Sequence, residues 1–144
     1  MKLLTTSIRD QLLRNGTIRQ ALTEEGCADA DFIPVVKLFT PDAGCTWLLT
    51  ELDPDDPDIA FGLCDLGMGC PELGSVRISE LESVRGSLGL PVERDLHFRP
   101  VRTLSVYARA AWNAAAITEN DEALAQAAEE LRRDKSLSET ELPR

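Results

Sequence analysis

The chain has 144 residues, of which 43% are hydrophobic and 28% charged, and its formal net charge is −10 at pH 7. This size suffices for one domain with a real core, whereas the acidic balance argues against direct nucleic-acid binding, which needs clustered Lys and Arg. The apolar start is interrupted by Arg9 and Asp10, and no apolar run approaches the ~20 residues of a membrane helix. We therefore expect a cytoplasmic protein that binds no membrane and keeps its four cysteines reduced.

Helical periodicity predicts a helix over residues 5–22, with capping residues at its start and an apolar stripe along one side. The Asn15-Gly16 pair is a turn signal inside this segment and predicts that it breaks into two short helices. A polar loop over residues 24–31 follows.

From residue 32 onward the pattern favours strands. Segments 32–40 and 45–51 flank a Pro-Asp-Ala-Gly turn and predict a hairpin, and a third strand follows at 59–65. A fourth strand is predicted at 74–78 and a further short strand or extended segment at 92–98. Between them, Ser79 is expected to cap a short helix that ends near Arg85, with Glu82 at the capping-box position.

The C-terminal third of the chain is predicted to be helical and then charged. A helix is expected over 103–116, and a second over 121–135 with weak core contacts, before disorder over 136–144. Residues 1–117 are thus predicted to form a single α+β domain, and residues 118–144 a charged, partly helical or disordered tail. The fold class is α+β, with a four- or five-stranded mainly antiparallel sheet packed against the N-terminal helices and the helix near 103–116.

Metal and cofactor signatures are weak. Zinc sites commonly pair cysteines two to four residues apart, and Cys27, Cys45, Cys64 and Cys70 lack that spacing. A site from the last three of these with His97 is conceivable, but Cys45 and Cys64 fit better as small hydrophobic residues in strands. The Gly-rich segment 66–74 lacks both nucleotide-binding spacings. We expect neither a metal nor a cofactor.

One segment offers residues for acid–base chemistry. If residues 93–99 are extended, then Glu93, Asp95, His97 and Arg99 share one face. Alternating carboxylate, imidazole and guanidinium groups can make a catalytic site. The alternative is a polar outer face with ion pairs of little individual value. No nucleophile motif accompanies them, so we assign no catalytic residue and lean toward a protein that is not an enzyme.

Two features are candidates for contact with a protein partner. Asp53, Asp55, Asp56 and Asp58 lie in a short acidic loop whose closely spaced carboxylates could imitate phosphates, although a solvated turn stiffened by two prolines is the alternative. This loop lacks the glycine and the distal Glu of a calcium-binding EF-hand. Trp112 in the late helix is expected at the rim of the fold and is a candidate partner contact.

Several segments together resemble a bacterial family of unknown function, DUF2958. They are KLLT (2–5), VVKLFTPDAGCTWLLTELDPDD (35–56), FGLCDLGMG (61–69), PELG (71–74) and SELESVRGSLGLPVERDLHF (79–98). The resemblance extends from Met1 to about Ala111 and implies a small protein of a kind that is frequent on plasmids and integrative elements. It implies no established activity and no catalytic residues. Cys70 and Ser75 depart from it, since larger residues are expected there.

Three functions remain open at this point. The first is a non-enzymatic interaction or accessory protein of mobile elements. A flat surface with exposed Trp112 or an apolar groove would favour it. The second is an acidic counter-defence protein of the anti-restriction or anti-CRISPR type that mimics DNA, which needs a continuous stripe of carboxylates. The third is a small hydrolase or ligand binder that uses the Glu93–Arg99 face, with Glu51, His97 and Arg99 in one deep pocket. The sequence carries no signal for the oligomeric state.

Overall fold

The computed structural model describes residues 2–27 and 30–141, with side chains through residue 137. In chain order the elements are α1 (Thr6–Glu24), β1 (Val36–Phe39), β2 (Thr46–Leu52), β3 (Ile59–Asp65), β4 (Glu72–Arg77), α2 (Ile78–Ser83), β5 (Glu93–Arg94), α3 (Leu104–Ala114) and α4 (Asp121–Glu141).

The strands form one five-stranded sheet in the order β4-β3-β2-β1-β5, and every neighbouring pair is antiparallel. The predicted hairpin is the β1–β2 pair, in which Phe39 lies opposite Thr46. The predicted α+β fold with a mainly antiparallel sheet is confirmed. The first strand is shorter than predicted: it begins at Val36, one residue after the Val35 N–H donates to the Leu49 carbonyl at 2.8 Å.

Helices cover both faces of the sheet, and successive residues of β2 divide between two cores. Trp47 and Leu49 belong to the first core with α1 and α2, whereas Leu48 belongs to the second core with α3 and α4. Side chains alternate between the faces of a strand, so a continuous apolar run such as this one indicates a strand buried on both sides. β2 is therefore the element that the two cores share.

The N-terminal segment is a single helix, so the predicted break at Asn15-Gly16 is wrong. The Thr5 hydroxyl accepts a hydrogen bond from the Ile8 N–H, as expected for a cap. Gly16 lies so close to β2 that a Cβ there would be 1.8 Å from the Leu52 carbonyl oxygen. The residues that resemble a turn signal are the point at which this helix approaches the sheet.

The short helix α2 begins at Ile78, and its predicted capping box is absent. Arg77 occupies the N-cap position without a side-chain cap. The cap comes from Asp58, whose carboxylate accepts the Ser79 N–H at 2.9 Å and the Ser79 hydroxyl at 2.6 Å. The prediction that Ser79 caps this helix is wrong because a distant acidic loop supplies the acceptor.

The helix predicted over 103–116 is confirmed as α3, and the second predicted helix is confirmed as α4. The weak core contacts expected for α4 are wrong, since Leu124 and Ala127 are fully buried in the second core. Arg109 of α3 also pairs with Glu130 and Asp134 of α4. The disorder predicted from residue 136 is wrong as far as Glu141, where the helix ends; residues 142–144 lie outside the described part of the chain.

Candidate functional site

Among the described residues, the end of β2 has a partner strand on one side but not on the other. β1 pairs with β2 only as far as Leu49, whereas β3 continues to pair with β2 through Leu52. The β2–β3 register shifts between Leu49 and Glu51, which leaves Thr50 as the extra residue of a β-bulge. Bulges redirect side chains at strand ends, often beside functional sites. Here the bulge brings Glu51 opposite Phe61 of β3.

A row of polar side chains on α1 covers this open end. Gln11, Asn15 and Arg19 are four residues apart and therefore share one helix face. The Gln11 amide donates to the Asn15 side-chain oxygen at 3.0 Å, and the Asn15 amide donates to the Thr50 carbonyl at 2.8 Å. The helix thus supplies a hydrogen bond that a neighbouring strand would otherwise make.

Arg19 and Glu51 form a largely buried ion pair. The Arg19 Nε donates to both Glu51 carboxylate oxygens, at 2.7 and 2.6 Å, and its Nη2 donates to the Ala30 carbonyl at 2.8 Å. The guanidinium also lies 5.5 and 5.8 Å from the ring centres of Phe32 and Phe61. Glu51 is only 5% exposed, so the arginine is what makes its burial as an anion tolerable.

A cavity of about 370 Å³ opens beside this ion pair, and we call it the Arg19 cleft. Four carboxylates and one guanidinium lie in its wall. Its lining residues are Gly16, Arg19, Gln20, Thr23, Glu24, Glu51, Asp53, Pro54, Asp55, Ile59, Phe61 and Ser75. The excess of carboxylates favours a positively charged occupant.

A second cavity, of about 360 Å³, adjoins the first, and we call it the edge groove. It shares Arg19 and Phe61 with the Arg19 cleft, so these two side chains lie between the cavities or in the walls of both. Its lining residues are Arg19, Ala30, Asp31, Phe32, Phe61, Leu73, Leu104 and Ser105. Aromatic and aliphatic side chains predominate in it.

A family model described as "Protein of unknown function (DUF2958)" matches residues 3–118. The chain belongs to the DUF2958 family. No curated protein and no solved structure matches it. The DUF2958 match contains both cavities and Trp112, and it ends before α4 begins.

The predicted acid–base face of this DUF2958 chain does not come together as one extended row. Strand β5 contains only Glu93 and Arg94, and the chain then turns, with Asp95 accepting the His97 N–H at 2.8 Å. Asp95 also pairs with Lys37, while Arg99 donates to the Phe98 carbonyl. Neither His97 nor Arg99 lines the cavity that contains Glu51.

The four aspartates of the acidic loop divide into two pairs. Asp53 and Asp55 line the Arg19 cleft, and Asp53 accepts the Asp55 N–H at 2.9 Å. Asp56 and Asp58 both pair with Arg77 of β4. Hydrogen bonds from Ser79 lower the pKa of Asp58, and the hydrogen bond to Asp56 raises the pKa of Arg77. Arg77 thus offsets one of the two negative charges of Asp56 and Asp58 within the molecule.

Trp112 of α3 is 77% exposed, as expected for a rim residue. It is seven residues from Ser105 and therefore on the same helix face, which borders the edge groove. Leu73 of β4 is half-exposed on that side, and exposed Leu66 and Met68 lie in the loop after β3. The Ile117 N–H donates to Asp65, which holds the end of α3 beside that loop. We call Leu66, Met68, Leu73 and Trp112 the Trp112 surface.

The cysteines are single thiols with different surroundings. Cys45 and Cys64 pack against the first core, which confirms them as small hydrophobic residues, and burial followed by the Glu72 charge raises the pKa of Cys64. Cys27 and Cys70 are exposed. Within residues 2–27 and 30–141, no group of three or more His, Cys, Asp or Glu is placed to hold a metal ion. Over the same residues, no helix combines the length and apolar character that a bilayer crossing requires.

The polar row on α1 and the Arg19–Glu51 pair are not among the residues that the sequence predicts to form a site. A usable signal was present, because polar residues at 11, 15 and 19 follow the helical repeat of a segment that must bury one face. A carboxylate near the end of the apolar strand TWLLTEL was a second signal. The pairing of these residues depends on the bulge at Thr50, which no local pattern announces.

Proposed function

We propose that this protein is a non-enzymatic accessory protein of mobile genetic elements that acts by binding another protein through the Trp112 surface. The observation that carries the proposal is the exposure of Trp112. Tryptophan is enriched among the residues that dominate the binding energy at interfaces. A large aromatic side chain exposed to solvent contributes a large apolar area to such binding when a partner buries it. The assignment to mobile genetic elements is based on the resemblance to the DUF2958 family.

Other features support binding rather than catalysis or DNA mimicry. The acid–base segment 93–99 turns away from an extended row at Asp95, which weakens its use as a catalytic face. Asp56 and Asp58 both pair with Arg77, which offsets one of their two charges, so the acidic loop offers fewer unpaired carboxylates than a phosphate mimic would use. Exposed apolar residues that lie together on a surface mark candidate interaction sites, and the Trp112 surface supplies four such residues.

The test is affinity capture from the native host with the wild-type chain and with Trp112→Ala. We expect the wild type to retain one or a few specific proteins, and the variant to lose them while it keeps the wild-type circular dichroism spectrum. Leu88→Ala is the matched control, because Leu88 is 80% exposed but lies in the loop before β5. Equal capture by all three chains, or specific capture by none, would contradict the proposed function.

A spectroscopic readout then connects the captured protein to the surface. Trp47 is buried and Trp112 exposed, so a red-shifted component of the emission belongs to Trp112. Addition of the purified partner should shift this component to shorter wavelength. The shift should be absent in Trp112→Phe.

A further inference from the structure

β4 is an edge strand of the sheet and borders the two cavities. It lies at one end of the strand order, and in the part of the chain that the structure describes no strand pairs with its outer side. Its register with β3 runs unbroken from Glu72 to Arg77, without a bulge or a proline. Proteins commonly protect such edges, because their unpaired backbone groups readily accept another strand.

The side chains of β4 point toward both cavities in register. Leu73 and Ser75 are two residues apart and therefore lie on the same face of the sheet. Leu73 lines the edge groove, and Ser75 lines the Arg19 cleft. A strand added to β4 would project alternate side chains beside these two residues, about 7 Å apart, so that one side chain reaches each cavity.

The two cavities favour different side chains. At the Arg19 cleft, Glu51 already binds Arg19, while Glu24, Asp53 and Asp55 are exposed carboxylates that attract a positive charge. At the edge groove, the walls include Phe32, Phe61, Leu73 and Leu104 and favour an apolar side chain.

We propose that β4 accepts an extended segment of a partner protein as a sixth strand, and that this segment carries a Lys or Arg two residues from a large apolar residue. The basic side chain enters the Arg19 cleft and the apolar one enters the edge groove. This is recognition by strand addition, in which backbone hydrogen bonds supply affinity and alternate side chains supply specificity. The proposal rests on the proposed function and names the chemistry of the partner.

The test is selection of random eight-residue peptides by display against the full chain, followed by fluorescence anisotropy with the enriched peptides. We expect enriched sequences with a basic residue two positions from an apolar residue, and slower amide hydrogen exchange in β4 when such a peptide is bound. Enrichment without a basic residue, failure to enrich any sequence, or exchange protection elsewhere than β4 would overturn the proposal.

Variants with matched controls locate the binding site. Leu73→Lys should weaken peptide binding at least about tenfold. The new lysine repels the basic residue of the peptide, and a charged side chain on an edge strand disfavours the addition of another strand. Leu88→Lys, at a more exposed leucine in the loop before β5, should leave it unchanged. If Leu73→Lys does not fold, Ser75→Lys at the exposed neighbouring position replaces it. Equal affinity of the edge variant and the control would overturn the proposal.

The charge term has its own pair of variants. Asp53→Asn with Asp55→Asn removes two charges from the Arg19 cleft but keeps oxygen acceptors for the Asp55 N–H and for Gln20. It should weaken peptide binding about threefold to tenfold and reduce its salt dependence. Asp10→Asn with Glu93→Gln removes two exposed charges elsewhere and should change neither. Loss of affinity in both double variants alike would contradict a basic residue in the cleft.

The outcomes separate this inference from the proposed function. If Trp112→Ala loses a captured partner but no peptide binds β4, strand addition fails and the proposed function stands. If enriched peptides resemble residues 72–77 and the chain dimerises with concentration, a second copy occupies the edge, and the partner chemistry proposed here is wrong.

Discussion

Gly16 allows α1 to approach the end of β2 more closely than any other residue type would. Alanine at a helical position ordinarily gains ~1 kcal/mol over glycine. Here its Cβ would lie 1.8 Å from the Leu52 carbonyl oxygen, which is backbone and cannot rotate away. Overpacking of this kind costs about 1–3 kcal/mol or more, and displacement of the helix also strains the Asn15–Thr50 hydrogen bond. We therefore expect Gly16→Ala to lower the free energy of unfolding by about 2 kcal/mol, measured by urea denaturation.

Gly74→Ala is the control for this substitution. Nothing lies within 4 Å of a Cβ at Gly74, which is in the edge strand β4. Its free energy of unfolding should stay within about 0.5 kcal/mol of the wild type. A Gly16→Ala chain as stable as the wild type would mean that α1 and β2 are farther apart than described.

Asp58 makes the stability of the fold depend on acid pH. Hydrogen bonds from Ser79 hold the pKa of Asp58 below its ordinary value of 3.8. A carboxyl group with a lowered folded-state pKa contributes stability that is complete above the ordinary value and is lost as the pH falls through the lower value. Asp58→Asn should therefore be less stable than the wild type at neutral pH, and the difference should shrink as the medium is acidified. Urea denaturation over a series of pH values measures it.

Ser79→Ala provides an independent variant for this effect. It removes the hydroxyl that makes the largest contribution to the lowered pKa, but it keeps the backbone donor. Its pH profile should lie between those of the wild type and Asp58→Asn. Parallel profiles for all three chains would show that Asp58 titrates alike in the folded and unfolded states.

Local sequence rules failed at single residues where a distant segment supplies the partner. An Asn-Gly pair is typical of turns, yet Asn15 and Gly16 lie within α1. The Asn15 amide donates to the Thr50 carbonyl of β2, and the absence of a side chain at Gly16 allows the helix to contact β2. Serine is a common N-cap residue, yet the cap at Ser79 is made by the carboxylate of Asp58, which is 21 residues away. In both places a tertiary contact outweighs a preference of a few tenths to about 1 kcal/mol.

At the scale of elements, α4 is a structural part of the fold although the family match ends before it. Leu124 is 1% exposed and packs in the second core. Leu124→Ala should lower the free energy of unfolding by about 3 kcal/mol, from lost burial and the remaining cavity. Leu137→Ala on the same helix is the control, because Leu137 is 60% exposed, and it should cost less than about 0.5 kcal/mol. Equal, small losses of stability in both variants would mean that α4 is only loosely attached to the core, as its charged sequence predicts.

Strands β1 to β4 and helix α3 were predictable because burial repeats along them with a fixed period. Segments 45–51 and 59–65 indicate strands, and the apolar stripe of α3 indicates a helix packed on one side. The Arg19 cleft was not predictable from the sequence. It requires three features together: the bulge at Thr50, the pairing of β1 with β2 only as far as Leu49, and the packing of α1 across the end of β2. Each of these is a relation between elements, and periodicity describes elements one at a time.

At the scale of the whole molecule, one sheet carries a core on each face, so the two cores should unfold together. Leu12 anchors the first core on α1, and Leu124 anchors the second on α4. Neighbouring residues of β2 belong to different cores, so neither core can open without loosening the strand that holds the other. One cooperative transition is therefore expected for the part of the chain that the structure describes.

Leu12→Ala and Leu124→Ala test that expectation from opposite faces of the sheet. Each should lower the midpoint of a single urea transition by an amount equivalent to about 2–5 kcal/mol, and the two losses should add within about 0.5 kcal/mol in the double variant. Far-UV circular dichroism follows all the helices, and Trp47 fluorescence in a Trp112→Phe background follows the first core. Coincident curves from both probes are expected in every variant, because Trp47 and Leu48 are consecutive residues of β2. If Leu124→Ala shifts the dichroism curve but leaves the Trp47 curve in place, the second core unfolds independently, and β2 does not couple the two faces.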